Sequence, residues 1–179
     1  MLFSIASGWE LFWFDVIVYA VLQTLRIFVD YILPKRWFTA DRLWFATYKW
    51  EDGGKFYEKY FRVNCWRDFL PAVNSLNNFD KKHLKSLDPE YLEQFVFETR
   101  LGESHHVRSI VETLFFALWN PPGLFLLVFA LSFLIQAPFI IIQRYNRPRL
   151  LRLIEINKKR VARNAAAAVE APTVSSLEL

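Results

Sequence analysis

The strongest constraint on this chain is a stretch without charge. From Thr113 to Gln143 there is no Asp, Glu, Lys or Arg, and within it Gly123 to Ile142 reads GLFLLVFALSFLIQAPFIII. A helix that crosses a hydrocarbon core needs about 20 residues at about 1.5 Å of rise each. The run meets that length. The rival reading is a core helix of a soluble domain, but a chain of 179 residues has little protein with which to cover such a segment on every side.

The second apolar block, Trp9 to Leu33, is interrupted by Glu10, Asp15, Arg26 and Asp30. On a helix, Asp15, Tyr19, Gln23, Arg26 and Asp30 share an arc of about 80°. Such a helix can face lipid while its polar stripe faces protein, and Arg26 can pair with Asp30 one turn away. An amphipathic surface helix is the alternative. A secretory signal is disfavoured, because no basic residue precedes the run and no small-residue cleavage site follows. Composition agrees with apolar and charged blocks: 54% of residues are hydrophobic, 18% aromatic and 22% charged, which excludes intrinsic disorder. One Cys excludes a disulfide scaffold, and no glycine-rich phosphate loop is present.

These features predict an all-α membrane protein with about three membrane-embedded helices, over 9–34, 105–120 and 123–143. A cytoplasmic, aromatic-rich insertion over 35–104 completes a single membrane-embedded domain, 1–163. Turns are expected at Asp52-Gly53-Gly54 and in the loop from Pro71 through Asn74 to Asn78, and Asp88-Pro89-Glu90 marks a helix start. That helix runs toward Asn120-Pro121-Pro122-Gly123, where it stops. Arg144 to Arg163 holds eight basic residues against one acid, Glu155. Such an excess beside a span is normally cytoplasmic, and Lys35, Arg36 and Arg42 agree. The expected location is the cell membrane, multi-pass, with the active site at the cytoplasmic face. Residues 164–179 are Ala-rich and read as a disordered tail, with the final Leu-Glu-Leu a candidate expression remnant.

Ionisable groups on such helices are functional candidates by default. The helix from Pro89 carries Glu98, Arg100, Glu103, His105, His106, Arg108 and Glu112. Glu98, His105 and Glu112 form one stripe about 40° wide, and Arg100, Glu103 and His106 lie on the other side. Glu103 and His106 are three apart and can touch. A carboxylate on one imidazole nitrogen leaves the other to act as a general base; a salt-bridged helix surface is the bland alternative. On the third span, Ser132, Gln136 and Gln143 share about 40°, and Asn146 and Arg147 continue near that face. Substrate lining and interhelical hydrogen bonding are both open there. Pro138 is expected to kink the span. The run Gln143-Arg144-Tyr145-Asn146-Arg147-Pro148-Arg149 offers donors that can grip phosphate or anchor lipid headgroups.

QRYNRPRL (Gln143 to Leu150), preceded by Pro138 and a run of Ile, resembles the carboxyl-terminal signature of the glycosyl-4,4'-diaponeurosporenoate acyltransferases. These membrane enzymes acylate the sugar in the last step of staphyloxanthin-type carotenoid synthesis. Glu98-Thr99, Glu103 and His106 stand in the family's spacing, as do His83-Leu84, Gly54-Lys55-Phe56 and Trp66. The likeness covers roughly Lys35 to Arg160. The first span and the tail lie outside it, and His105 and the Pro121-Pro122-Gly123 turn are particular to this sequence.

The resemblance implies a membrane O-acyltransferase that moves a fatty acyl group from a cytoplasmic thioester donor to a hydroxyl of a glycosylated carotenoid or similar lipid-linked sugar. His106 is the expected base and Glu103 its orienting partner. Arg100, Gln136, Gln143, Arg144, Asn146, Arg147 and Arg149 are expected to bind substrate, with Asn146 or Arg100 holding the oxyanion and Arg147 forking donor phosphate. Glu98, His105, Glu112, Asp15, Arg26 and Asp30 are expected in supporting or structural roles. No cofactor is expected beyond acyl-coenzyme A or acyl-carrier protein as co-substrate, and membrane lipid but no nucleic acid is an expected partner. The alternative is a non-enzymatic membrane subunit that binds partner helices and anionic lipid. A metal enzyme built on His83, His105, His106, Glu98 and Glu103 is a third option, although no H-x-x-x-H or Cys pair sets a geometry.

Overall fold

A computed structural model of the chain describes residues 8–39, 44–71 and 84–170, with side chains described as far as 167. Arg42, His83 and the expected loop over 74–78 lie outside the described residues. Among the described residues the structure is helical and holds no strand: α1 (Gly8–Ile32), α2 (Lys55–Phe61), α3 (Val63–Trp66), α4 (Pro89–Glu112) and α5 (Pro122–Glu170). Short 3-10 segments lie over Lys35–Trp37, Lys49–Gly54, Arg67–Phe69 and Thr113–Leu118.

Two helices, α1 and α5, are long and apolar enough to cross a membrane, by length and composition. The expected third span over 105–120 is not a single α-helix. Its first part belongs to α4, and the chain tightens into the 3-10 turn at Thr113, whose Oγ1 donates to the Ile110 carbonyl at 2.6 Å. The charged and imidazole side chains that crowd 103–112 explain why that stretch lacks an apolar circumference.

Helix α5 has 49 residues and runs unbroken through Pro138 and Pro148. At about 1.5 Å per residue it is roughly 73 Å long, about twice a hydrocarbon core. It divides into an apolar half and a basic half. No residue of its most apolar 18-residue window is buried, so it is not the core helix of a soluble domain. The helix also continues to Glu170, into the stretch expected to be disordered, because an alanine run has the highest helix propensity.

The packed core lies against the basic half of α5. Leu92, Phe95 and Val96 of α4 meet Leu150 and Ile154, all buried. Pro89 occupies the first turn of α4 as expected, but the Asp88 carboxylate accepts a hydrogen bond from Ser86 and makes no cap bond to the helix.

The polar stripe of α1 faces α4 and the turn after it in three rungs. Asp15 accepts from Trp119 Nε1 at 2.7 Å and Asn120 Nδ2 at 3.0 Å. Arg26 Nη1 donates to Glu112 Oε2 at 3.1 Å. Asp30 pairs with Arg108 and faces His105 Nδ1 at 2.8 Å. The expected Arg26–Asp30 pair within α1 is therefore replaced by pairs between helices, because each partner on α4 reaches its charge in a buried or half-buried setting.

Residues 44–69 wrap α5 just past its apolar half. Gly54 has φ +97°, and a Cβ there would lie 2.9 Å from the Tyr145 carbonyl oxygen. Gly54→Ala must strain the backbone and push away a helix it packs on. We expect a loss of about 1–3 kcal/mol, read as a lower midpoint of thermal unfolding in detergent.

Candidate active site between α4 and α5

Two neighbouring faces of α4 organise the site. On one, Glu103 is buried and its two oxygens take separate guanidinium groups: Oε1 accepts from Arg144 Nη1 at 2.8 Å, and Oε2 accepts from Arg147. Arg147 is 1% exposed and donates further to Thr99 Oγ1 at 3.2 Å, the Thr99 carbonyl at 3.3 Å and the Phe45 carbonyl at 3.1 Å. Arg144 donates to Glu51 Oε1 at 2.9 Å and to the Trp44 and Ala46 carbonyls at 2.9 and 3.0 Å. Tyr57 donates its hydroxyl to Glu51 at 2.5 Å. Burial, then the hydrogen bond to Glu51 and its charge, push the Tyr57 phenol above its ordinary range, so it remains a donor. Burial alone would lower the Arg144 pKa, but Glu103 and Glu51 outweigh it and raise it. The knot is closed, each of its carboxylate oxygens accepting at least one donor.

On the other surface, Glu98, Gly102, His105 and His106 line a cavity of about 1330 Å³. Their spacing of four, three and one residues keeps them on one side of the helix. Helix α5 contributes Phe139, Gln143, Asn146 and Arg149, and α1 contributes Ile27, Asp30 and Tyr31. Glu98 is buried and accepts from Gln94 Nε2 at 3.1 Å. Gly102 exists for contact: a Cβ there would lie 3.2 Å from the Gln143 amide. His106 stacks on Phe139, with ring centroids 4.7 Å apart and planes 12° apart. Its Nδ1 lies 2.6 Å from Gln136 Oε1, and Gln136 Nε2 donates to Ser109 Oγ at 3.0 Å. A carbonyl oxygen can only accept, so Nδ1 donates to it, and in the neutral imidazole the lone pair is on Nε2.

Several expected residues therefore meet in one cavity: His106, His105, Glu98, Asp30, Gln143, Asn146 and Arg149. Others do not join them. Glu103 was expected to orient His106, but both its oxygens are taken by arginines of α5, and Gln136 stands at Nδ1 in its place. Arg147 was expected to fork a donor phosphate, yet its donors go to Thr99, Phe45 and Glu103 in a buried setting. Arg144 is engaged in the same way. Arg100 is buried and donates to the Phe38 and Thr39 carbonyls at 3.1 and 3.0 Å, so it fastens the segment after α1 rather than holding an oxyanion. Of the three signature arginines, Arg149 reaches the cavity, its guanidinium 4.7 Å over the Tyr145 ring. Glu112, Arg26 and Asp15 hold α1.

Sequence reasoning missed Phe139, Ser109, Glu51 and Tyr57. Glu51 had a signal: two arginines bound for a buried interface require about two carboxylates, and Glu103 supplies one. Gly102, a lone glycine in a helix dense with charge, also marked a close approach. Phe139 and Ser109 carried none.

A family profile described as glycosyl-4,4'-diaponeurosporenoate acyltransferase matches residues 35–156. Curated proteins of that name from Staphylococcus aureus strains N315, bovine RF122 / ET3-1 and MRSA252 are each 31% identical over 134 residues, covering 74% of this chain and 81% of theirs. No solved structure matches the chain.

Proposed function

Because the chain belongs to the glycosyl-4,4'-diaponeurosporenoate acyltransferase family, we propose that it is an integral-membrane O-acyltransferase. It moves a fatty acyl group from a thioester donor to a hydroxyl of a glycosylated carotenoid or a similar lipid-linked sugar. The observation that carries this reading is the cavity itself, where an oriented imidazole, amide donors and a cation meet apolar walls drawn from both long helices. An amphiphilic acceptor needs that mixture: apolar wall for its chain and polar groups at its sugar.

In the proposed step, His106 Nε2 takes the hydroxyl proton as the sugar oxygen attacks the thioester carbonyl. The tetrahedral oxyanion is held by amide donors, with Asn146 the candidate. Collapse expels the thiolate, which recovers the proton from His106. Gln136 fixes the tautomer without adding charge, and Phe139 holds the ring plane. His105 also lines the cavity with a carboxylate at Nδ1. His106 is preferred because Asp30, which gives His105 its partner, lies outside the stretch that matches the family.

The basic flanks favour a cytoplasmic donor, either acyl-coenzyme A or acyl-carrier protein, and Arg149 is the candidate contact to its phosphate. The purified full chain in lipid nanodiscs, given glycosyl diaponeurosporenoate and either donor, should form an ester detected by mass spectrometry. No ester from either donor would sink the reading. Arg149→Ala should raise the KM for the donor about fivefold, as expected for a partly exposed charge contact, with little change in kcat. An unchanged KM would remove Arg149 from the donor site.

A further inference from the structure

The segment Trp44–Phe69 has a composition unlike either long helix. Ten of its 26 residues are aromatic, five are Lys or Arg, and Val63 is its one branched aliphatic. Val63 is fully buried. The large apolar side chains that the segment exposes are all aromatic, led by Trp44 at 74% and Phe69 at 85% exposure, with Tyr48, Trp50, Tyr60 and Phe61. The apolar half of α5 differs. It exposes mainly aliphatic residues, among them Leu126, Leu127, Leu131, Leu134 and Ile135.

The level at which this segment sits is fixed by its anchors. Three consecutive carbonyls, of Trp44, Phe45 and Ala46, accept from Arg144 and Arg147. Tyr145 donates its hydroxyl to Asn64 Oδ1 at 3.0 Å, and Tyr57 and Val63 pack on Tyr145. All three anchors on α5 follow within five residues of Ile142, where the apolar run ends. Two to five residues of rise is about 3–8 Å along the helix. The headgroup layer on each side of the hydrocarbon is about 5–8 Å deep. With the apolar run of α5 placed in hydrocarbon, these anchors put the segment at headgroup depth.

We propose that Trp44–Phe69 is an interfacial cuff, with its exposed aromatic rings inserted among the lipid headgroups around α5, rather than part of a cytoplasmic insertion. This rests on the membrane reading above. Aromatic rings favour that boundary because each combines apolar area with tolerance of the wet, polar layer, whereas aliphatic side chains favour the hydrocarbon beneath. Exposed Lys49, Lys59 and Arg62 alternate with the rings and can extend toward lipid phosphate, Lys59 lying 5.1 Å over the Tyr60 ring, while Lys55 pairs with Asp52 at 3.4 Å. Arg67 and Asp68, at the end of the segment, line the cavity, as do Leu70 and Pro71 just after it. The cuff thus sets one wall of the cavity at the depth where a membrane-held sugar resides.

The chain's one cysteine, Cys65, makes the test direct, since Cys65→Ser removes it. In that background, nitroxide labels at Trp44→Cys, Phe69→Cys, Leu127→Cys and Arg163→Cys are compared in nanodiscs by their collision rates with oxygen and with a water-soluble nickel chelate. Leu127 should report hydrocarbon and Arg163 water. Labels at Trp44 and Phe69 should show an oxygen-to-nickel ratio several-fold above Arg163 and below Leu127. A ratio at both positions equal to that at Arg163, with Leu127 in hydrocarbon, overturns the cuff alone. Shielding of both positions from both reagents would put a protein surface there and overturns it too. Water-like values at Leu127 would overturn the membrane reading and the cuff with it.

Discussion

His106→Ala is expected to lower acyl transfer by roughly 10²–10⁴-fold, the contribution typical of a general base, while the protein still folds and inserts. His106 is half-buried on the cavity side of α4, and the knot's charge pairs run among Glu51, Glu103, Arg144 and Arg147, so its removal leaves them in place. The loss should fall on kcat, because proton removal belongs to the transition state rather than to substrate binding. Gln136 offers the sharper discrimination. Gln136→Leu removes the carbonyl that fixes the proton on Nδ1 and should reduce kcat with KM little changed. Gln136→Glu restores an acceptor at the same place and should recover much of the activity. A purely structural role for Gln136 would not show that rescue. His105→Ala should cost less than about tenfold, a smaller effect than a general base typically supplies, since Asp30 retains Arg108. If His105→Ala abolishes transfer and His106→Ala does not, the base is the imidazole held by Asp30.

How much of this was legible in the sequence depends on the kind of information each element uses. The apolar run of α5 and the polar stripe of α1 are periodic along the chain, so length and helical angle found them. The stripe on α5 was found in the same way, and Gln136, Gln143 and Arg147 do face α4. Partner choice was not legible. Glu103 and His106 are near neighbours in a helix, but neighbourhood within one helix is worth only a few tenths of a kcal/mol. Two guanidinium groups arriving from α5 outbid it, since a buried carboxylate needs full charge compensation. The same competition took Arg26 and Asp30 away from each other. The third expected segment, 105–120, differs for another reason: Arg108 and Glu112 interrupt its first half, and its second half tightens into a 3-10 segment before the Pro-Pro pair.

Glu103→Ala is expected to cost about 3–5 kcal/mol of stability, the range for removing one partner of a buried charge pair. The carboxylate is the centre of the knot. Without it, Arg147, 1% exposed, loses its charged partner and retains carbonyl and hydroxyl acceptors only, and Arg144 keeps Glu51. The expected readout is a large fall in the thermal unfolding midpoint in detergent and loss of inserted protein. Arg147→Lys should be destabilising as well, because one ammonium cannot reach Thr99, Phe45 and Glu103 together as the planar guanidinium does. Replacing Glu103 and Arg147 together by Leu should cost less than the two single losses added, since neither buried charge is then stranded. The two roles for Glu103 separate here. Had it oriented the imidazole, its removal would leave a folded, inactive enzyme with an unchanged midpoint. A Glu103→Ala protein that unfolds at the wild-type temperature would return Glu103 to the catalytic group and leave the arginine signature without its central counter-charge.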